Sequence, residues 1–218
     1  MAVETTVVLL RHGVTDWHSD RRVLGQRDIG LNDTGKAQAE AAARALASFP
    51  IADIVSSPLV RSVQSAEIVA KELRLGVTRD PRLVDFRVGK WEGMTYDEVE
   101  KSPEYRRFVA APLSERIPGG EDLGQIRDRA VSAVEQSLRD LPGGESLLMV
   151  THAGIVRVLL SHYLGMNLAA YHLLRVSPGS LSLLAFGANL QLPRVLAVNW
   201  MSTLGEASGW PSEAVLTG

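Results

Sequence analysis

Three short apolar runs, residues 5–10 (TTVVLL), 51–55 (IADIV) and 146–150 (SLLMV), constrain the fold more than any other feature of this chain. Each is rich in β-branched or aliphatic residues, too short for a helix, and followed closely by polar or cationic residues and then a helical pattern. Near-continuous apolar runs of this length mark strands covered on both faces, because a strand with one wet face alternates instead. Strands of that kind separated by helices require crossover connections, so the chain is expected to be α/β: a three-layer α/β/α sandwich around a mostly parallel sheet. Residues 181–186 and 194–200 are further strand candidates, paired around a turn at residues 187–189.

The helices carry their own start signals. Asn32 or Asp33 opens an alanine-rich helix to Phe49, favoured because alanine loses no side-chain freedom on ordering. Ser57 stands as N-cap before Pro58, and the helix that follows to about Leu73 carries Arg61 in its first turn. Leu123, Ile126, Ala130, Val134 and Leu138 form one stripe of a helix over residues 122–141. Between residues 93 and 120 apolar density falls and charges accumulate. Thr95 and Glu98 have capping-box spacing there, and Ser102-Pro103 starts a second short helix. That stretch reads as a surface excursion rather than core. Residues 1–218 read as one domain, with a cap excursion at about 94–120 and a loosely attached tail at about 201–218.

Composition narrows the function. Twenty-three basic against 25 acidic side chains give a formal charge of −2, which disfavours a nucleic-acid or acidic-membrane partner. Cysteine is absent, which excludes thiolate metal sites and cysteine nucleophiles and fits a cytoplasmic setting. No run approaches the ~20 uninterrupted apolar residues of a membrane span, and the N-terminus lacks the pattern of a signal peptide. Oligomeric state is open, a homodimer included.

In parallel sheets, ligands bind beyond the carboxyl ends of the strands. Arg11, His12 and His152 fall just after strand ends, and Arg61 falls in the first turn of the next helix. Two arginines and two histidines converging there describe an anion site, since guanidinium forks match phosphate oxygens and helix N-termini add backbone donors. A neutral imidazole at His12 is a competent nucleophile towards phosphorus. A departing alkoxide then needs a proton, for which Asp85 and Glu92 are the candidates. Taken singly, each residue also has a plain reading; Arg61, for instance, could be solvated or paired with Glu67. His162 and His172 receive no chemistry.

Together these residues resemble the histidine phosphatase superfamily, the phosphoglycerate mutase-like proteins. Leu10-Arg11-His12-Gly13-Val14-Thr15 is similar to its signature, and the stretch from Ser56-Ser57-Pro58 through Arg61 to Ala66 is similar to its second block. Gly89-Lys90-Trp91-Glu92-Gly93, Pro118-Gly119-Gly120-Glu121 and Thr151-His152-Ala153-Gly154 follow in the family's order. The resemblance covers residues 5 to 165. It implies phosphoryl transfer through a phosphohistidine at His12, with Arg11, Arg61 and His152 binding the phosphate and no metal or other cofactor. It also implies a proton donor four residues before the glycine of the Gly-x-Trp-Glu-Gly block. The family usually has glutamate there and this chain has Asp85. A second departure is His18, where the family commonly has asparagine; a histidine can still donate to phosphate.

Mutases of the family carry a longer insertion where this chain has residues 94–120. The short excursion favours hydrolysis of a small phosphomonoester: a sugar phosphate, a phosphoglycerate derivative or an α-ribazole phosphate type. Arg106, Arg107 and Arg116 are candidates for touching a charged substrate. The alternatives are a phosphoglycerate mutase-type phosphotransferase and a phospho-ligand binding protein without catalysis.

Overall fold

The computed structural model describes residues 4–141, 144–187 and 193–201. Six strands form one sheet: β1 (Thr5–Arg11), β2 (Ile51–Ser56), β3 (Thr78–Arg79), β4 (Ser146–Thr151), β5 (Leu181–Phe186) and β6 (Arg194–Trp200). Their spatial order is β3-β2-β4-β1-β5-β6. The pairs β1–β4, β2–β4 and β2–β3 are parallel, while β5 runs antiparallel to both neighbours. The sheet is therefore mostly parallel, as the apolar runs require. The two-residue β3 has no apolar run to announce it, and both its residues are exposed.

Alternation along the central strands sends side chains into two cores. Val8 and Leu10 of β1 face the first core, with Ile54, Leu148 and Val150. This core is covered by α2 (Asp33–Leu46) and α3 (Val60–Leu73), through Ala42, Leu46, Ala66 and Val69. Val7 and Leu9 face the second, with Leu147 and Met149, under α6 (Leu123–Asp140) and α7 (Ala153–Tyr163). These are the three layers. Every residue of the α6 stripe named from the sequence is buried.

Three local expectations need correction. The α2 helix ends at Leu46 rather than Phe49, which packs on the core from the following turn. Its cap is Asn32, whose Oδ1 accepts from the Gly35 N–H at 3.0 Å. Ser57 does not cap α3. The helix starts two residues later, and Asp28, from a distant loop, accepts from the Val60 N–H at 2.6 Å. Nor is the 94–120 excursion purely surface. Its helices α4 (Tyr96–Lys101) and α5 (Pro103–Ala110) form with the expected Thr95–Glu98 box and Ser102 cap, but Val99, Phe108 and Ile117 insert into the second core. Phe108 meets the buried Trp91 edge-on at 5.9 Å. The short helix α1 (Asp16–Ser19) lies in the loop after β1. The 187–189 turn beyond Gly187, and the tail beyond Met201, lie outside the described residues.

One backbone crossing fixes the exit of β1. A Cβ on Gly13 would overlap the Gly35 carbonyl, and one on Gly35 would overlap the Val14 carbonyl. Only two glycines let the turn after His12 press against the first turn of α2. Backbone is the obstacle on both sides, so no rotamer change relieves it. Gly35→Ala should cost about 2–3 kcal/mol in urea unfolding, the upper part of the range for overpacked interiors, and should depress activity by displacing His12. A variant of wild-type stability would show that the crossing has slack.

Candidate active site

The carboxyl ends of β1, β2 and β4 bring His12, Arg61 and His152 together, each at most 2% exposed. The ring centroids of His12 and His152 are 5.1 Å apart, and those of His12 and His18 are 5.6 Å apart. Above them opens a cavity of about 180 Å³, whose lining includes Arg11, His12, His18 and Asp85. Arg61 and His152 do not line it; they form the layer beneath.

Hydrogen bonds fix the state of the His12 and His152 rings. His12 Nδ1 lies 2.7 Å from the Gly13 carbonyl, which can only accept, so Nδ1 carries the hydrogen and Nε2 keeps its lone pair. That lone pair accepts from Arg61 Nε at 3.2 Å. Burial, and then the charges of Arg61 and Arg11, holds the His12 pKa well below its ordinary value, so the ring is neutral near pH 7.

His152 Nε2 lies 2.8 Å from Ser57 Oγ, which also takes a long 3.4 Å bond from the Leu59 N–H. With Ser57 donating to Nε2, the ring hydrogen falls on Nδ1. This atom is buried without a hydrogen-bond partner and sits 3.6 Å from Asp85 Oδ2. Burial first, and Arg61 second, depresses the His152 pKa as well. His18 Nδ1 lies 3.1 Å from the Thr15 backbone nitrogen and 2.9 Å from Thr15 Oγ1, and its Nε2 lies 2.8 Å from Arg11 Nη2, which can only donate. Burial and the neighbouring Arg11 push the His18 pKa down to about 4. Arg11 donates from Nη1 to the Val176 carbonyl at 2.6 Å, while its Nε is buried without a partner. Arg11 Nε and His152 Nδ1 are thus both buried without an acceptor, as donors of an anion site would be.

Asp85 supplies the carboxylate. Its Oδ2 is 3.2 Å from Arg61 Nη2, and its Oδ1 accepts from the Phe86 N–H at 2.9 Å. Burial raises its pKa and outweighs the opposing pull of Arg61. Glu92 serves elsewhere: it accepts from the Gln26 N–H at 3.0 Å, pairs with Arg27 at 3.4 Å and does not line the cavity. Between the two acid candidates, the geometry favours Asp85.

Several parts were missed by sequence reasoning. Ser57 orients His152 across 95 positions of sequence. Arg129 donates to the carbonyls of Arg82, Val84 and Asp85 at 2.6–3.2 Å and pairs with Glu121 at 3.1 Å, clamping the segment that presents Asp85. Glu121 belongs to the Pro-Gly-Gly-Glu motif, the one signal that pointed here. The cap arginines are not brought to the site. Arg107 pairs with Glu104 and Glu115, Arg116 pairs with Asp122, and Arg106 bonds the Lys101 carbonyl. Glu67 pairs with Arg79, not Arg61.

The family model described as the histidine phosphatase superfamily (branch 1) matches residues 7–200. The chain belongs to that superfamily. The probable phosphoglycerate mutase GpmB of Escherichia coli is 34% identical over 209 residues, covering 95% of this chain and 90% of the relative. Among solved structures, Bacillus stearothermophilus YhfR matches with a TM-score of 0.81 at 30% identity, covering 89% of this chain and 96% of that one. A mycobacterial glucosyl-3-phosphoglycerate phosphatase matches with a TM-score of 0.81 at 26% identity, covering 90% and 99%. Proteins with mutase and with phosphatase names are thus both similar to this chain. No helix among the described residues is long and apolar enough to cross a membrane.

The buried histidines make stability depend on pH with a definite sign. Their folded pKa values lie below the unfolded value of about 6.5, so their contribution is present above that pH and is lost as pH falls below it. Urea unfolding at roughly pH 5.5, compared with pH 7, should show a loss of about 1 kcal/mol for each of His12 and His152. Equal stability at both pH values would mean that the rings are charged in the fold.

Proposed function

We propose that this protein hydrolyses small phosphomonoesters through a phosphohistidine formed on His12 Nε2. The observation that carries this reading is the His12 ring itself: neutral, its Nδ1 hydrogen held by the Gly13 carbonyl, its Nε2 lone pair held only by Arg61. As Nε2 bonds to phosphorus, the ester P–O bond breaks and the Asp85 carboxyl gives its proton to the departing alkoxide. Arg61 Nε–H passes from Nε2 to a phosphoryl oxygen. Arg11, His18 and the His152 Nδ1–H meet the other oxygens, and His152 answers the charge growing on the phosphoryl group. The Asp85 carboxylate then takes a proton from water as it attacks the phosphohistidine, releasing phosphate and restoring His12. Among the described residues no group of His, Asp and Glu is arranged to hold a metal ion, and each step above uses this chain's own side chains. The cavity is smaller than the roughly 300–1,000 Å³ of drug-sized sites, which suits a small substrate. The lack of cysteine supports a cytoplasmic setting.

Transfer between positions of phosphoglycerate is the second reading, favoured by the Escherichia coli relative's name. Against it stands the short excursion at 94–120, which puts a single residue, Tyr96, on the cavity wall.

Wild-type protein in a chelator should release free phosphate from p-nitrophenyl phosphate and carry acid-labile phosphate in a rapid quench. His12→Ala should abolish both, and turnover surviving that change would falsify the mechanism. Product analysis on 3-phosphoglycerate separates the two readings: free phosphate marks a phosphatase, the 2-isomer a mutase.

Asp85→Asn should slow an alkyl phosphate by about 10²–10⁴-fold, the usual worth of a general acid. An aryl phosphate, whose leaving group scarcely needs the proton, should slow far less. For the wild type, alkyl-ester turnover should decline as pH rises through the raised pKa of Asp85. Equal losses on both esters would make Asp85 a structural residue.

A further inference from the structure

One guanidinium at the cavity has no part in the chemistry above. Arg157 lies on α7, one turn beyond Ala153, and all three of Ala153, Gly154 and Arg157 line the cavity. Side chains on a helix lean back towards its N-terminus, so Arg157 reaches over Ala153 and Gly154 towards the phosphoryl site. The rise from Ala153 to Arg157 is about 6 Å. Its Nε is held by the Leu174 carbonyl at 2.7 Å, and among the described residues it has no ion pair. Asp85, the one carboxylate of the lining, is engaged by Arg61. Every other arginine found wanting near the substrate, in the cap, is paired or turned away. Arg157 is fixed at one end, faces the cavity and has no counter-charge.

Its surroundings narrow what it can recognise. Val23, Leu24, Phe86 and Val88 make one wall apolar, and Gly154 is needed for the Phe86 ring to approach, since a Cβ there would stand 2.8 Å from it. A sugar would press most of its hydroxyls against that wall unpaired, at a cost. Tyr171 stacks near Phe86 at 5.9 Å, and it and Tyr96 bring phenol groups to the same cavity. A single cation, flanked by phenols and apolar side chains, suits a single additional negative charge.

We propose that Arg157 forms a second anion subsite, which selects phosphomonoesters whose alcohol carries a carboxylate a few bonds from the ester oxygen. This inference rests on the phosphatase reading and sharpens its substrate class. Arg157 is here a specificity residue; it takes no part in bond making or proton transfer.

The test uses two esters with the same three-carbon skeleton, 3-phosphoglycerate and glycerol 3-phosphate, which differ by a carboxylate against a hydroxymethyl group. Wild-type kcat/KM should favour the carboxylated ester at least tenfold. Arg157→Gln should erase most of that preference, chiefly through a higher KM for the carboxylated ester, and Arg157→Lys should restore part of it. Wild-type protein with no preference would overturn the inference, as would a Gln variant that loses equally on both esters, which would mark Arg157 as a strut for the Leu174 carbonyl. Failure to turn over p-nitrophenyl phosphate as well would instead overturn the phosphatase reading beneath it.

Discussion

Arg61 is fully buried, and a guanidinium cannot shed its charge to suit its surroundings. The fold around it has to supply acceptors, and it does so from four directions: His12 Nε2, the Gly25 and Arg27 carbonyls and the Asp85 carboxylate. Each contact also sets the acceptor in place. His12, Asp85 and the 25–27 loop are therefore registered to one another through one side chain. Removing it would strip the partly buried Asp85 of its direct ion-pair partner, the kind of break that costs more than the pair contributes. Stability and chemistry here share an interaction, which explains why a charged residue occupies the centre of the domain.

The same guanidinium creates the imbalance that makes the site useful. Arg11 and Arg61 sit beside three histidines with one carboxylate among them, and desolvation keeps every imidazole neutral. Neutral rings leave the Nε2 lone pair of His12 to the Arg61 N–H alone and leave a buried N–H on His152 without an acceptor. A formal charge of −2 for the whole chain conceals this local excess of positive charge.

Much of this was legible in sequence because it is local. Apolar runs of five or six residues gave the strands, and both β5 and β6 fall on their expected bounds. His12 and His152 could be placed from sequence because strand ends are where a parallel sheet presents residues. What stayed illegible depends on partners far apart along the chain. Ser57 has the look of an N-cap, since it precedes a proline and a helix; its actual partner is His152, which no local pattern reveals. Asp28 caps a helix 32 residues away, and Arg129 grips three carbonyls more than 40 residues away. The cap misled for a related reason. Its sparse apolar residues, Val99, Phe108 and Ile117, stand nine apart, a spacing that matches neither the helix nor the strand period, so they share a core without a local pattern to announce it.

Aspartate at position 85, where the family resemblance leads one to expect glutamate, raises a problem of reach. A shorter side chain delivers its carboxyl only if its Cα comes closer to the site. Here the Asp85 carbonyl is held by both Gln26 Nε2 at 3.0 Å and Arg129 Nη2 at 3.2 Å, and Arg129 holds Arg82 and Val84 as well. The segment is drawn between two side chains rather than left as a free loop. Packing of Phe86 against the glycine at the start of α7 anchors its next residue. The carboxyl then meets Arg61 directly, at 3.2 Å, and needs no bridging water to do so. Hydrogen bonds to the main chain thus hold the shorter side chain beside Arg61, and Arg129 helps position Asp85 from outside the cavity lining.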